Sequence, residues 1–225
     1  MQWKTFISSL THDVDWHSKN YVTQEQPKVE RLLHQVQADP GAIKERILDI
    51  LADDTLYKDL EPYTDYPRTL MDKFTIYVAP GDQFRVRVHR FWPKNIAGNA
   101  IEKVHYHKWH MSTVILDGSY TERRFLIEDL DEENRRAETV ETDKRELLTG
   151  EVSSLAATEP HQVHNASDDE PCLTLFVRGP ALQDHARIFN DDGTFYDTYS
   201  PTPQRKRALR ALAELNGHFH PLPER

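Results

Sequence analysis

The apolar positions repeat with two different periods, and the change falls near residue 73. Val29, Leu32, Leu33 and Val36 lie at i, i+3, i+4 and i+7, one stripe along a helix. Asp39-Pro40-Gly41 stops that helix, and Ile43, Ile47, Ile50 and Leu51 repeat the pattern to about Asp53. From Phe74 the period is two. Residues 74–78 read as a strand, Pro80-Gly81-Asp82 as a turn, and 84–92 as the returning strand of a hairpin. Phe84, Val86 and Val88 take one face of that strand; Arg85, Arg87 and His89 take the other. Further short strands are expected over 105–107, 111–116, 119–127, 151–155, 161–164 and 173–177. Many short strands separated by turns predict a mainly β chain, a barrel or jelly roll. The expected organisation is a helical segment at 1–72 packed on the barrel, the barrel at 73–200, and a short basic helix with a tail at 201–225. Thr202-Pro203 opens that helix and Gly217 follows it. The charged stretch within 128–146 reads as a solvated hairpin tip or loop.

Composition narrows the function. The chain has 225 residues, enough for one large domain with terminal additions. Its net charge of −9 argues against a duplex nucleic-acid binder. No apolar run reaches the roughly 18 residues that span a bilayer, and Met1-Gln2-Trp3-Lys4-Thr5 lacks the apolar core of a signal peptide. A soluble cytoplasmic chain, with neither membrane nor nucleic acid as partner, is the expectation. One cysteine, Cys172, leaves no internal disulfide and no all-cysteine zinc site. Histidine is the outlier at 12 residues, several of them crowded.

The crowding starts at Val104-His105-Tyr106-His107-Lys108-Trp109-His110-Met111. Residues two apart on a strand share a face, so His105 and His107 present two imidazoles to one side of a sheet. A third imidazole from another strand would complete a nitrogen donor set with open positions, suited to Fe(II), Ni, Cu, Zn or Mn. Pro160-His161-Gln162-Val163-His164-Asn165 is the second cluster.

The two segments resemble the paired motifs of the cupin superfamily. In the first, G-x5-H-x-H-x3/4-E-x6-G, His105, His107 and Gly118 fit; Gly98 stands beside the expected glycine position at Asn99, and Met111 takes the place of the glutamate. In the second, G-x5-P-x-G-x2-H-x3-N, Gly150, His161 and Asn165 fit, with Ala156 and Thr158 at the proline and glycine positions. The resemblance implies His105, His107 and His161 as metal ligands. A three-histidine site without a carboxylate is similar to the cysteine (thiol) dioxygenase branch, as is the run His161–Asn165. The resemblance covers about 74–193. That branch carries a Ser-x-His-x-Tyr triad on the strand after the third ligand. Its matching positions here read as Leu173, Leu175 and Val177, so the triad is absent and the pattern points away from cysteine as substrate.

The reading that follows is a mononuclear non-haem Fe(II) dioxygenase acting with O₂ on a small, anionic, metal-chelating substrate. A sensor or binding module, or a metal-dependent isomerase or decarboxylase, stands as the alternative. Arg85, Arg87 and Met111 are the expected substrate contacts. Lining the barrel, the arginine face would clamp a carboxylate or phosphate; facing outward, it would be an ordinary polar face. Both orientations stay open, and Arg178 is a further candidate. Trp109, His110 and His164 are expected just outside the ligands, orienting them or walling the pocket. No group is selected as acid or base, although Tyr77, Tyr106 and Tyr120 each offer a phenol. Edge strands make a homodimer the expected assembly.

Overall fold

The computed structural model describes residues 1–66, 70–98 and 100–199. The expected C-terminal helix at 201–225 lies outside the described residues.

The N-terminal helices are α1 (Trp3–His12), α2 (Gln26–Gln37), α3 (Pro40–Ala52) and α4 (Asp54–Leu60). Pro40 starts α3 where a proline costs no intrahelical hydrogen bond. The break after α3 is set by Asp53, whose carboxylate accepts from the backbone N–H groups of Thr55 and Leu56 at 2.9 and 3.1 Å and so caps α4.

Eleven strands follow among the described residues: β1 (Met71–Val78), β2 (Arg85–Phe91), β3 (His105–Tyr106), β4 (Met111–Asp117), β5 (Ser119–Asp131), β6 (Arg136–Leu148), β7 (Val152–Leu155), β8 (His161–His164), β9 (Cys172–Arg178), β10 (His185–Phe189) and β11 (Phe195–Tyr199). A single helical turn, α5 (Lys94–Ala97), lies between β2 and β3. The strands form two antiparallel sheets, ordered β1-β2-β9-β4-β7 and β11-β10-β3-β8-β5-β6. The chain is thus mainly β, as its period-two segments predict. No described helix is long and apolar enough to cross a membrane.

The five-stranded sheet has two unlike faces. Ile76, Val86, Val114, Leu175 and Val177 point to the helices and join Phe6, Leu10, Val29, Leu33 and Val36 in one core. Several of these side chains are fully buried, each contributing about 1.5–3 kcal/mol. The other face looks into the space between the sheets and carries Arg87, His89, Thr113, Thr174 and Phe176.

Of the two readings of the charged stretch at 128–146, hairpin tip or loop, the structure shows the hairpin: the stretch is the outer half of β5–β6, paired as far as Asp131↔Arg136. Its strand pairing runs further than expected because most side chains there are exposed, with Ala137 buried, and no apolar alternation marks the strands. The tip is anchored by Arg187, which donates to Glu132 Oε1 and Asp197 Oδ1, each at 2.7 Å. The turn residues of the histidine motifs also take special conformations. Gly118 has φ +77°, and a Cβ there would stand 2.8 Å from the Pro171 carbonyl oxygen. Thr158, at a glycine position of the second motif, is held at φ +70°, where a β-branched residue is strained.

Two substitutions of opposite sign test these turns. Gly118→Ala should lower unfolding stability by about 1–3 kcal/mol, and Thr158→Gly should leave it unchanged or raise it by up to about 1 kcal/mol. Chemical denaturation of both variants reads the difference; a stable Gly118→Ala protein contradicts the close approach to Pro171.

Candidate metal centre

The centre is set by strand register. β3 pairs with β8 so that His105 stands directly opposite His161. Directly opposed residues project from the same face of a sheet. Their ring centroids are 4.6 Å apart. His107 lies just beyond the end of β3, and its carbonyl accepts from the Thr158 N–H at 3.1 Å, tying its loop to the one that leads into β8. Its ring comes back to the pair, with His107 Nε2 at 3.1 Å from His161 Nε2. One donor atom from each of the three histidines lies within 4.8 Å of the others.

Tautomers follow from the partners. A backbone carbonyl can only accept, so His105 Nδ1, 2.9 Å from the Lys103 carbonyl, is a donor, and Nε2 is the ring atom available to a metal. Burial, then the neighbouring imidazoles, hold His107 well below the usual histidine range; burial, then His105 and Arg124, do the same to His161. Neutral imidazoles are the metal-binding form. Two nitrogens about 2.1 Å from one ion at a right angle stand about 3.0 Å apart, close to the observed separation. The donor set fits a divalent transition metal.

A buried carboxylate backs the third ligand. Glu122, fully buried, places Oε1 3.9 Å from His161 Nδ1, a nitrogen with no hydrogen-bond partner. Glu122 in turn accepts from Ser153 Oγ at 2.8 Å, from Arg145 at 2.8 Å and from Arg124 at 3.2 Å. The two arginines offset the cost of burying its charge, and the network fixes the wall from which His161 projects.

The three imidazoles open onto a cavity of about 50 Å³ between the sheets. The opposite wall is the inward face of β2, β4 and β9. Arg87 and His89 lie on it, which settles the orientation of the arginine face: it looks inward. Arg87 is half-buried, and its Nε, which is buried, has no partner. Burial, followed by the nearby Arg178 and Arg85, pushes its guanidinium down to about 10, which leaves it a cation near neutral pH. Arg85 stands further out. It donates to both Asp82 oxygens at 2.6 and 2.7 Å, and Arg178 reaches the same carboxylate at 2.8 and 2.9 Å. These groups, with Lys108, line an outer vestibule of about 670 Å³ that shares Arg87 and Trp109 with the inner cavity.

The remaining expected residues separate. Trp109 stacks on His107 at 5.5 Å and 10° and forms part of the cavity wall. Met111 also lines the cavity, packed with Leu155 and Phe176. His110 points the other way. It stacks on Tyr21 at 4.5 Å and accepts from the Ala157 N–H at 3.0 Å, joining the helical layer to the loop before β8. His164 lines a neighbouring chamber of about 170 Å³ instead of the three-histidine cavity. Tyr120 lies in the cavity wall, whereas Tyr77 packs with the helices and Tyr106 lies beside Phe189. On β9 the positions that face the cavity are Thr174 and Phe176, with Arg178 continuing the same parity into the vestibule. Leu175 and Val177 face the helices. The register that placed a triad at 173, 175 and 177 is therefore one residue off, and the inward positions carry no tyrosine. His89, placed by parity on the face of Arg87, lines the cavity as well, and so does Lys73, which the sequence reading does not name.

No protein-family model and no curated protein matches the chain. Solved structures match in shape. A protein of unknown function with a cupin-like fold from Ralstonia eutropha JMP134 is 15% identical over 64% of this chain and 74% of its own, with a TM-score of 0.39. An RmlC-like cupin protein of the same organism is 11% identical over 66% and 78%, also with a TM-score of 0.39. Hydroxypropylphosphonic acid epoxidase from S. wedmorenis is 14% identical over 48% and 50%, with a TM-score of 0.35.

The buried imidazoles make a pH prediction for chelator-treated protein. His89, His107 and His161 all have folded pKa values below the 6.5 of an exposed imidazole. Below that value the unfolded chain takes up protons that the folded chain refuses, so stability falls as pH falls and is level above about 7. Melting temperature against pH should show this slope, and His89→Leu should remove about one proton from it. A slope unchanged in the variant contradicts burial of a neutral His89.

Proposed function

We propose that this chain is a mononuclear non-haem Fe(II) oxygenase of cupin type, dioxygenase-like, acting on a small anionic substrate that chelates the metal. The observation that carries the reading is the pairing, across one small cavity, of three converging imidazoles with a half-buried guanidinium whose buried Nε lacks a partner. His105, His107 and His161 would hold the ion. Bound Fe(II) would supply open coordination positions at which substrate and O₂ meet.

The chain's own groups do the rest. Arg87 offers a desolvated positive charge and free N–H donors, so a carboxylate or phosphate entering the cavity replaces lost hydration with a charge-assisted hydrogen bond. Arg85 and Arg178, already committed to Asp82, draw anions into the vestibule without competing for the inner position. Thr174 Oγ1, buried with no partner, can donate to a polar substrate atom. Trp109, Met111, Phe176 and Val163 exclude water from the cavity. The size of the cavity restricts the reacting end of the substrate to a few non-hydrogen atoms.

Anaerobic Fe(II) titration should give one ion per chain, and His161→Ala should abolish retention. Fe-loaded protein should then consume O₂ with members of a panel of small amino, thiol and hydroxy acids. Arg87→Met should raise KM for the active acid about 10–100-fold and leave metal binding intact, since a charged hydrogen bond contributes about 1.5–3 kcal/mol. Absence of metal uptake sinks the reading; uptake with turnover of an acid but no O₂ consumption moves it to the redox-neutral class.

A further inference from the structure

The cavity has a charge problem. Three imidazoles bring no negative charge to offset the two charges of a divalent ion, and the Arg87 guanidinium lines the same small space. A cation so placed, away from bulk water and beside a guanidinium, is stabilised by an anion within reach. Glu122 does not meet the need. It lies behind His161 and spends its oxygens on Ser153, Arg145 and Arg124. The position from which the cupin motif would send a carboxylate is Met111, a thioether.

Glu102 is the acid that lines this cavity among the described residues. It sits three residues before His105, in the segment that feeds β3. Its Oε1 stands 3.9 Å from His105 Nε2, the ring nitrogen not engaged by the Lys103 carbonyl. Its backbone is fixed, since Gln162 Nε2 donates to the Glu102 carbonyl at 2.7 Å and Gln162 itself is held by Arg123 at 2.8 Å. Its side chain is 22% exposed and has room to turn. Donor atoms about 2.1 Å from one ion stand about 3.0 Å apart when cis and about 4.2 Å when trans. The 3.9 Å separation falls inside that span.

We infer that Glu102 is a fourth, carboxylate ligand of the metal centre, delivered from upstream of the first histidine. The inference rests on the three-histidine centre of the preceding section and adds its charge balance. Glu102 also borders the neighbouring chamber of about 170 Å³, and its departure would open the cavity on that side.

The test uses full-length protein stripped with chelator and titrated with Co(II), comparing wild type, Glu102→Gln and His161→Ala. Wild type should bind one Co(II). Glu102→Gln, equal in size and unchanged in circular dichroism, should bind at least about tenfold more weakly and show an altered d–d absorption spectrum. Binding by Glu102→Gln within twofold of wild type, or weaker binding with an unchanged spectrum, overturns inner-sphere ligation and leaves the three-histidine centre standing. Loss of binding in His161→Ala confirms that the titration reads this centre. Absence of uptake by wild type removes the centre and this assignment together.

Discussion

The pairing of His105 with His161 across β3 and β8 is the constraint on which the site depends. A shift of one residue would send one imidazole to the far side of the sheet and separate the pair. The register is held from both sides. β8 is also paired to β5, where Arg124 lies opposite His161 and reaches the buried Glu122. β3 is itself only two residues long, so the register is carried by its neighbours and by the loop contacts of His107.

Around that pairing the charges are arranged in layers. Glu122 and its two arginines form a closed network behind His161, whereas Arg87 Nε remains without a partner on the cavity side. Asp82 ties Arg85 and Arg178 together at the entrance. The effect is a gradient of commitment: paired cations outside, an unpaired one inside. Each exposed ion pair alone contributes little to stability. Their value lies in fixing side chains that would otherwise sample many rotamers at the mouth of the cavity.

Much of this was legible in the residues. The change of period near residue 73 marks the passage from helices to strands. His-x-His followed by a distant histidine marks the three imidazoles that the fold brings together. Parity placed Arg87 and His89 together, although period two cannot say which face of a sheet is inside. What stayed hidden has physical causes. The β5–β6 hairpin beyond Phe125 lacks an apolar face, so it reads as a solvated hairpin tip or loop. On β9, residues 172–178 are apolar or buried on both faces, and a strand covered on both sides carries no alternation to fix its parity. Glu102 falls among the unspecified positions of the first motif, before His105, and is one of 37 acids; only three-dimensional proximity to His105 distinguishes it.

His110 couples two parts of the molecule that have no shared chemistry. Its ring rests on Tyr21 in the helical layer, and its Nδ1 holds the Ala157 amide at the entrance to β8. Undocking of the segment around Tyr21 would therefore loosen the strand that carries His161. The segment then acts as a brace, and its local opening and the loosening of the three-histidine cluster become one event, seen as joint protection of the 21–25 and 156–164 amides from solvent exchange.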